Sequence, residues 1–381
     1  MSLENKIPNG WIETTLGEVC EIKYGKDHKK LNEGKIPCLG SGGIMRYVDE
    51  ILYDKPSVLI PRKGTLSNLF YIDKPFWTVD TLFYTKINTE IIDPIFLYFK
   101  LKTYNLANLN VGSAVPSLTT AVLNQFPFEI PKNIEEQVAI AKTLTAFEDK
   151  IENLQAQNNT LETTAQTIFK EWFGKYQIGD ELPEGWRVGE INDLIEFIID
   201  NRGKTPPLIE KNINSYSLIE VNSITGDDRN VNINLGKKFV NEETYQNWFR
   251  KGHPINGDIL LSTVGSIGQL AQVFDEKICI AQNIIALRSN TSGNFLYELL
   301  KINQKLIINL DISSVQPSIK VPHLLAMPVI IPNIELIEKF DKLVDKLSKK
   351  ITSNNQQIQT LKKTRDTLLP KLMNGELRVK I

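Results

Sequence analysis

Three short basic clusters in this chain lie beside glycine: residues 23–30 read Lys-Tyr-Gly-Lys-Asp-His-Lys-Lys, Arg62 and Lys63 precede Gly64, and Gly203 separates Arg202 from Lys204. Such clusters suit phosphate, because the cations neutralise its oxygens and a residue without a side chain lets backbone N–H groups approach closely. Taken singly, each is equally consistent with ordinary solvated lysines. The net charge of −1 argues against a protein that coats nucleic acid indiscriminately, so the placement of the basic residues matters more than their sum.

The groups that covalent chemistry would require do not assemble. Methyl transfer to a base amine calls for an Asn-Pro-Pro-Tyr or Asp-Pro-Pro-Tyr loop, and Thr205-Pro206-Pro207-Leu208 lacks the amide or carboxylate that would orient that amine. A Gly-x4-Gly-Lys-Ser/Thr phosphate loop for ATP is missing, and Gly40-Ser41-Gly42-Gly43 reads as a turn. Asp227-Asp228 has no lysine or metal spacing near it and reads as solvated loop. Cys20, Cys38 and Cys279 are too scattered for disulfides or zinc, and His28, His253 and His323 add no ligand spacing. The isolated chain is therefore expected to have no catalytic activity, no metal site and no cofactor of its own.

The elements that would position the basic loops occur twice. Ile7-Pro8-Asn9-Gly10-Trp11 returns as Leu182-Pro183-Glu184-Gly185-Trp186 at an offset of 175. By Val58-Leu59-Ile60 against Ile259-Leu260-Leu261 the offset has grown to 201, which puts an insertion of about 26 residues early in the second copy. Pro116-Ser117-Leu118 then answers to Pro317-Ser318-Ile319, and Pro131 to Pro332. A period near 200 is too long for a solenoid and means a duplicated domain. Each copy reads as mixed α/β: strands at 57–60 and 81–84 with a helix from Pro94, then strands at 259–261 and 284–287 with a helix at 295–300. Glycine-bearing polar loops, 61–68 and 262–269, follow the first strand of each pair.

Each copy ends in a long heptad pattern. Ile140, Leu144, Phe147, Ile151, Leu154, Asn158, Leu161, Ala165, Ile168 and Trp172 alternate spacings of three and four. Phe340, Val344, Leu347, Ile351, Asn354, Ile358, Leu361, Arg365, Leu368 and Leu372 keep the same phase. Helices of roughly 36 residues would each span about 54 Å, and Pro370 is expected to end or kink the second slightly early. Residues 137–173 hold 3 basic and 5 acidic side chains against 9 basic and 4 acidic in 337–373, which favours pairing within the chain. An antiparallel pair about a pseudo-twofold sets Ile151 with Leu361, Leu154 with Ile358, Leu161 with Ile351 and Leu144 with Leu368, and brings Asn158 level with Asn354. Such an asparagine pair penalises every other register, because slippage would face each amide with hydrocarbon.

Hydrophobic residues make up 41% and charged residues 23%, in short runs, so each half can bury a core. No stretch approaches eighteen apolar residues and the polar start lacks the core of a secretory signal, so a cytoplasmic protein is expected.

Together these residues resemble the specificity subunit of type I restriction-modification systems, over nearly the whole chain. The resemblance rests on the twice-used Pro-x-Gly-Trp start, on Asn201-Arg202-Gly203-Lys204-Thr205-Pro206, and on Gly257-Asp258-Ile259-Leu260-Leu261-Ser262 with Gly265-Ser266-Ile267-Gly268. Pro116-Ser117-Leu118, the segment from Pro131 to Gln137, and Leu39-Gly40-Ser41-Gly42-Gly43-Ile44 add to it. It implies two target-recognition domains, 1–130 and 176–331, separated by two conserved spacer helices, 131–175 and 332–381, that form an antiparallel coiled coil. It also implies double-stranded DNA as ligand, two methyltransferase subunits docked on the helices, and translocating nuclease subunits reached through the complex. Those partners would use S-adenosylmethionine, ATP and magnesium. With helices of that length the half-sites would lie one helical turn of DNA or more apart, and two different domains make the target bipartite and non-palindromic. A divergent nuclease or methyltransferase, and a coiled-coil adaptor that binds proteins, are the rival readings.

Base edges would be read by polar side chains and phosphates held by lysine, arginine and serine. The first-domain candidates are Lys26, His28, Lys29, Ser41, Arg62, Lys63, Thr65, Asn68, Asp80, Ser117 and Thr119. The second-domain candidates are Asn201, Arg202, Lys204, Asn222, Ser262, Thr263, Ser266, Gln269, Gln282, Ser318 and Lys320. Turn formation and helix capping are the competing roles for the serines, threonines and asparagines among them.

Overall fold

The computed structural model of the 381-residue chain describes all residues except 1–6, 111–115, 204, 227, 275–276, 312, 314 and 381. It divides into two compact units, Met1–Asn153 with Ile358–Ile381, and Leu154–Gln357. The division falls inside both long helices, Ile134–Phe173 and Ile334–Met373, so each unit combines one globular domain with a segment of each helix.

The two domains repeat one strand plan. In the first, Trp11–Thr15 pairs antiparallel with Pro127–Pro131. A four-stranded antiparallel sheet runs Cys20–Tyr24, Leu82–Ile87, Ser57–Pro61, Phe70–Ile72, and a three-stranded sheet runs Gly43–Val48, Glu33–Gly40, Trp77–Thr78, the last two parallel. In the second, Arg187–Glu190 pairs with Pro328–Ile331. The larger sheet runs Ile195–Ile199, Ile284–Ser289, Ile259–Ser262, Leu270–Gln272, and the smaller runs Lys238–Val240, Tyr216–Ile219, Ile278–Ile280, again with a parallel last pair.

Uniformly apolar strands arise because the larger sheet is covered on both faces. Ile259, Leu261, Ile285 and Leu287 face a core shared with helix Gly293–Ile302, whereas Leu260, Ala271, Ile284 and Ala286 face the core under the smaller sheet. Val58, Ile60 and Phe83 against Leu59, Leu82 and Tyr84 repeat this two-residue alternation in the first domain. The following helix is capped in both: Asp93 accepts from Phe96 N–H at 2.8 Å, and Ser292 from Phe295 N–H at 3.0 Å.

Every heptad position named above is buried or half-buried. Within the second unit the helix segments run antiparallel, since Asn158 meets Asn354 while Trp172 lies against Phe340. Asn354 Nδ2 donates to Asn158 Oδ1 at 2.9 Å and Asn158 Nδ2 to Asn355 Oδ1 at 2.7 Å; Asn354 Oδ1 has no partner among the described residues. Within the first unit Arg365, a heptad position, pairs with Glu148 at 2.9 Å, and Glu136 pairs with Arg378 just past the second helix. Pro370 does not end that helix, which continues to Met373. Proline already has helical φ and forfeits one hydrogen bond near an end, where Asn374 N–H still reaches Pro370 O at 3.0 Å.

The helix segments complete the domain cores. Ile140, Leu144, Leu372 and Met373 belong to the first core, and Ala165, Phe169, Phe173, Ile337, Phe340 and Val344 to the second. Polar anchors differ between the units. In the first, buried Gln137 donates to Ile91 O and Pro131 O and accepts from Asp93 N–H at 2.9 Å, and Lys100 Nζ donates to Met373 O at 2.6 Å. Burial lowers the Lys100 pKa to about 8 against the pull of Glu129. In the second, Arg229 is 1% exposed, pairs with Glu162 of the first long helix at 2.9 Å and with Glu298, and stacks on Tyr297 at 4.2 Å. Burial pushes the Glu298 carboxyl up to about 7, with Arg229 pulling the other way. Arg229 lies in the 220–237 segment between the second domain's antiparallel smaller-sheet strands, where the first domain has only residues 41 and 42.

Removing this cation should therefore be costly. Arg229→Ala strands two carboxylates at a buried site and is expected to lower stability by about 3–5 kcal/mol. Denaturant titration of the full chain checks this, and a loss under 1 kcal/mol, the scale of an exposed pair, would contradict the burial argument.

Candidate nucleic-acid interface

In each domain the parallel strands end side by side and a hollow opens beyond their C-terminal ends. In the first, Leu39 is level with Thr78, and the hollow, about 740 Å³, is lined by His28, Lys29, Ser41, Met45, Asp80 and Thr81 among others. In the second, Ile219 is level with Ile280, and the hollow, about 420 Å³, is lined by Asn201, Arg202, Trp248, Gln282, Asn283 and Gln316 among others. The strand ends carry free backbone into the loops, so side chains of distant sequence converge there.

Of the first-domain candidates, His28, Lys29, Ser41 and Asp80 line this hollow. The loop carrying exposed Lys26 and Lys29 is held by Lys26 N–H on Thr78 O at 2.8 Å and by the Trp77 indole on Lys26 O at 3.0 Å. His28 is half-buried, and its Nδ1 has no partner among the described residues. Arg62 stacks over Tyr24 at 5.3 Å and reaches the Asp80 carboxylate at 3.6 Å and its carbonyl at 3.0 Å. Lys63 is exposed and bridges to Ser117, whose N–H is taken by Asn110 at 2.8 Å. Thr65 is exposed at the loop tip. Asn68 spends its amide on Ser41 O at 2.9 Å, and Thr119 caps the helix Thr120–Asn124 through Val122 N–H at 3.3 Å, so both act in shaping the loops.

The second-domain candidates divide more sharply. Arg202 is exposed beside Asp200, whose carboxylate raises its pKa further through a hydrogen bond at 2.9 Å. Asn201 is engaged at both ends, donating to Gly252 O at 3.1 Å and accepting from Lys251 N–H at 3.2 Å. Exposed Asn222 donates to Leu235 O at 3.1 Å. Ser266, Gln282 and Lys320 are exposed, and Gln269 and Ser318 half-buried. Lys204 lies outside the described residues. Ser262 and Thr263 are fully buried: the Ser262 hydroxyl donates to Ser266 O at 2.6 Å and accepts from Gln269 N–H, and Thr263 bonds to Asn283 O. Their hydroxyls face the loop interior, which corrects the expectation that they meet DNA; they fix the curvature that sets Ser266 outward.

The two interfaces share bonds as well as shape. The bridge of Lys63 to Ser117 returns as Val264 to Ser318, and Leu118 N–H on Arg62 O returns as Ile319 N–H on Thr263 O, both at 2.9 Å. Asn110 holding Ser117 N–H returns as Asp311 holding Ser318 N–H at 2.9 Å. Thr81, Trp248, Asn283 and Gln316 also line these hollows and Tyr24 lies under Arg62; all five were missed from sequence. Tyr24 lies inside the basic run 23–30, and Thr81 and Asn283 adjoin the candidates Asp80 and Gln282; no motif marks Trp248 or Gln316. Away from the interface, Cys20 and Cys279 are buried thiols pushed up to about 12, and no group of three or more His, Cys, Asp or Glu among the described residues is placed to hold a metal.

A family model for the type I restriction modification DNA specificity domain matches the chain twice, over residues 8–163 and 183–363. The chain belongs to this family. Two specificity domains thus account for most of its length, each carrying one of the hollows. Among curated relatives, the MjaIX specificity subunit of Methanocaldococcus jannaschii is 26% identical, with 98% of this chain and 95% of that one covered, and the MjaVIII specificity subunit of the same organism is 23% identical over the same shares. The type I restriction-modification S subunit from M. genitalium has the same fold at a TM-score of 0.65 and 18% identity, covering 100% of this chain and 99% of that one.

If the specificity domains hold phosphates with their exposed lysines, each lysine should contribute without regard to sequence. Lys63→Ala and Lys29→Ala are each expected to weaken binding to a random-sequence duplex and to lower the slope of log affinity against log salt by about 1. Titrations at several salt concentrations measure this, and an unchanged slope in both variants would remove them from the phosphate contacts.

Proposed function

We propose that each specificity domain reads one half of a bipartite, non-palindromic DNA target, and that the chain lends this specificity to catalytic partners. The observation that carries this reading is the pair of hollows: the same strand ends, bridges and carbonyl bonds build both, while the side chains around them differ. A common frame keeps the mode of docking, and different side chains make the two half-sites different.

The long helices are the natural seats for the partners. Two methyltransferase subunits, one for each half of the internal repeat, would dock there and carry S-adenosylmethionine, and translocating nuclease subunits would join through the complex with ATP and magnesium. Flipping a base and methylating it would be their task. The chain itself acts without catalysis in this account, in keeping with a Thr205-Pro206-Pro207-Leu208 segment that offers no amide or carboxylate to a base amine. It works in the cytoplasm, where the DNA is; no helix among the described residues is long and apolar enough to cross a membrane.

The test is selection from a random duplex library by the full chain co-purified with its methyltransferase partner. Bound sequences should converge on one gapped motif with two unlike halves, with affinity falling steeply as salt rises. Recovery of unselected DNA, with salt-insensitive binding, would favour a protein adaptor instead.

A further inference from the structure

The two domains carry the same turn at the mouth of the hollow, with different side chains at its tip. In the first domain residues 79–82 are fixed by three backbone bonds: Leu82 N–H on Val79 O at 3.0 Å, Val79 N–H on Leu39 O at 3.0 Å, and Arg62 N–H on Thr81 O at 2.8 Å. In the second, residues 281–284 repeat all three: Ile284 N–H on Ala281 O at 3.1 Å, Ala281 N–H on Ile219 O at 2.9 Å, and Thr263 N–H on Asn283 O at 2.9 Å. This equivalence places Asp80 and Gln282 at one position. Both residues are exposed and both line their hollow, on backbone that the three bonds hold still.

The surroundings of the tip differ in a way that matches its chemistry. Beside Asp80 stands Arg62, at 3.6 Å from the carboxylate and 3.0 Å from the carbonyl. At the Arg62 position the second domain has Thr263, wholly buried and bonded to Asn283 O, and the Gln282 amide has no hydrogen-bond partner among the described residues. A carboxylate can only accept hydrogen bonds, whereas an amide presents a donor and an acceptor side by side. In the major groove the first pattern matches the exocyclic amine of cytosine, and the second matches adenine, which offers its amine and N7 together.

We propose that this turn tip is a base-reading position in both domains, with Gln282 reading an adenine in one half-site and Asp80 a cytosine in the other. The inference rests on the reading of the chain as a DNA specificity subunit. A turn residue with only a conformational role would leave base preference untouched when its side chain is altered, so specificity is the readout that separates the two.

The experiment is the library selection applied to the full chain with its methyltransferase partner, comparing the natural chain with Gln282→Glu, Asp80→Asn and Asp80→Gln. The Gln282 variant should alter one adenine position in one half-site, with that base's enrichment falling about tenfold or more. The two Asp80 variants should alter one cytosine position in the opposite half-site. The gap and remaining positions should persist in all three, which also reports that the variants fold and dock. A natural chain that selects no gapped motif would sink the specificity reading itself. A clear natural motif that all three variants leave unchanged would overturn this inference alone, as would loss of all selection in variants that still form the complex, because the tip would then hold affinity and not base identity.

Discussion

Neither globular domain closes its own core. Leu144 and Met373 help fill the first, and Phe169, Phe173 and Phe340 the second, so each core is completed by a segment of both long helices. The aromatic cluster in the second unit shows how much surface is involved: Phe169, Phe173, Phe295 and Phe340 meet with ring centroids 5.1–6.4 Å apart. The long helices contribute no residue to the lining of either hollow.

The same constraint explains why the polar anchors lie where they do. Gln137 and Lys100 in the first unit, and Arg229 with Asn294 and Ser348 in the second, tie domain to helix through buried hydrogen bonds that admit one arrangement. An apolar interface alone would tolerate sliding by a turn, whereas a displaced buried amide or guanidinium would lose its partners. The two units solve this with unrelated residues, which fits a duplication followed by divergence wherever side chains were not required by the shared backbone bonds.

Features that depend on periodicity were legible in sequence. The heptads place the long helices within a few residues of Ile134–Phe173 and Ile334–Met373, and the apolar runs at 57–60 and 259–261 mark strands covered on both faces. The repeat offset of 201 reappears as paired bridges at Ser117 and Ser318. What could not be read was depth. Arg229 in a polar insertion looks solvated, yet it is buried because carboxylates from two other segments reach it. Ser262 and Thr263 in a glycine-bearing loop look exposed, yet the loop closes on their hydroxyls. Pro370 looks like a helix end, yet the helix has only one more turn to complete. For Arg229 and Thr263 the deciding partner lies far away in sequence, whereas Ser262 and Pro370 are settled within their own loop and helix turn.

The most direct measurement is methylome sequencing of a naive host that expresses this chain with its cognate methyltransferase subunit, beside hosts expressing either protein alone. Methylation is expected at one gapped motif with two unlike halves, and only when both proteins are present. Methylation by this chain alone, or the same motif from the methyltransferase alone, would contradict it.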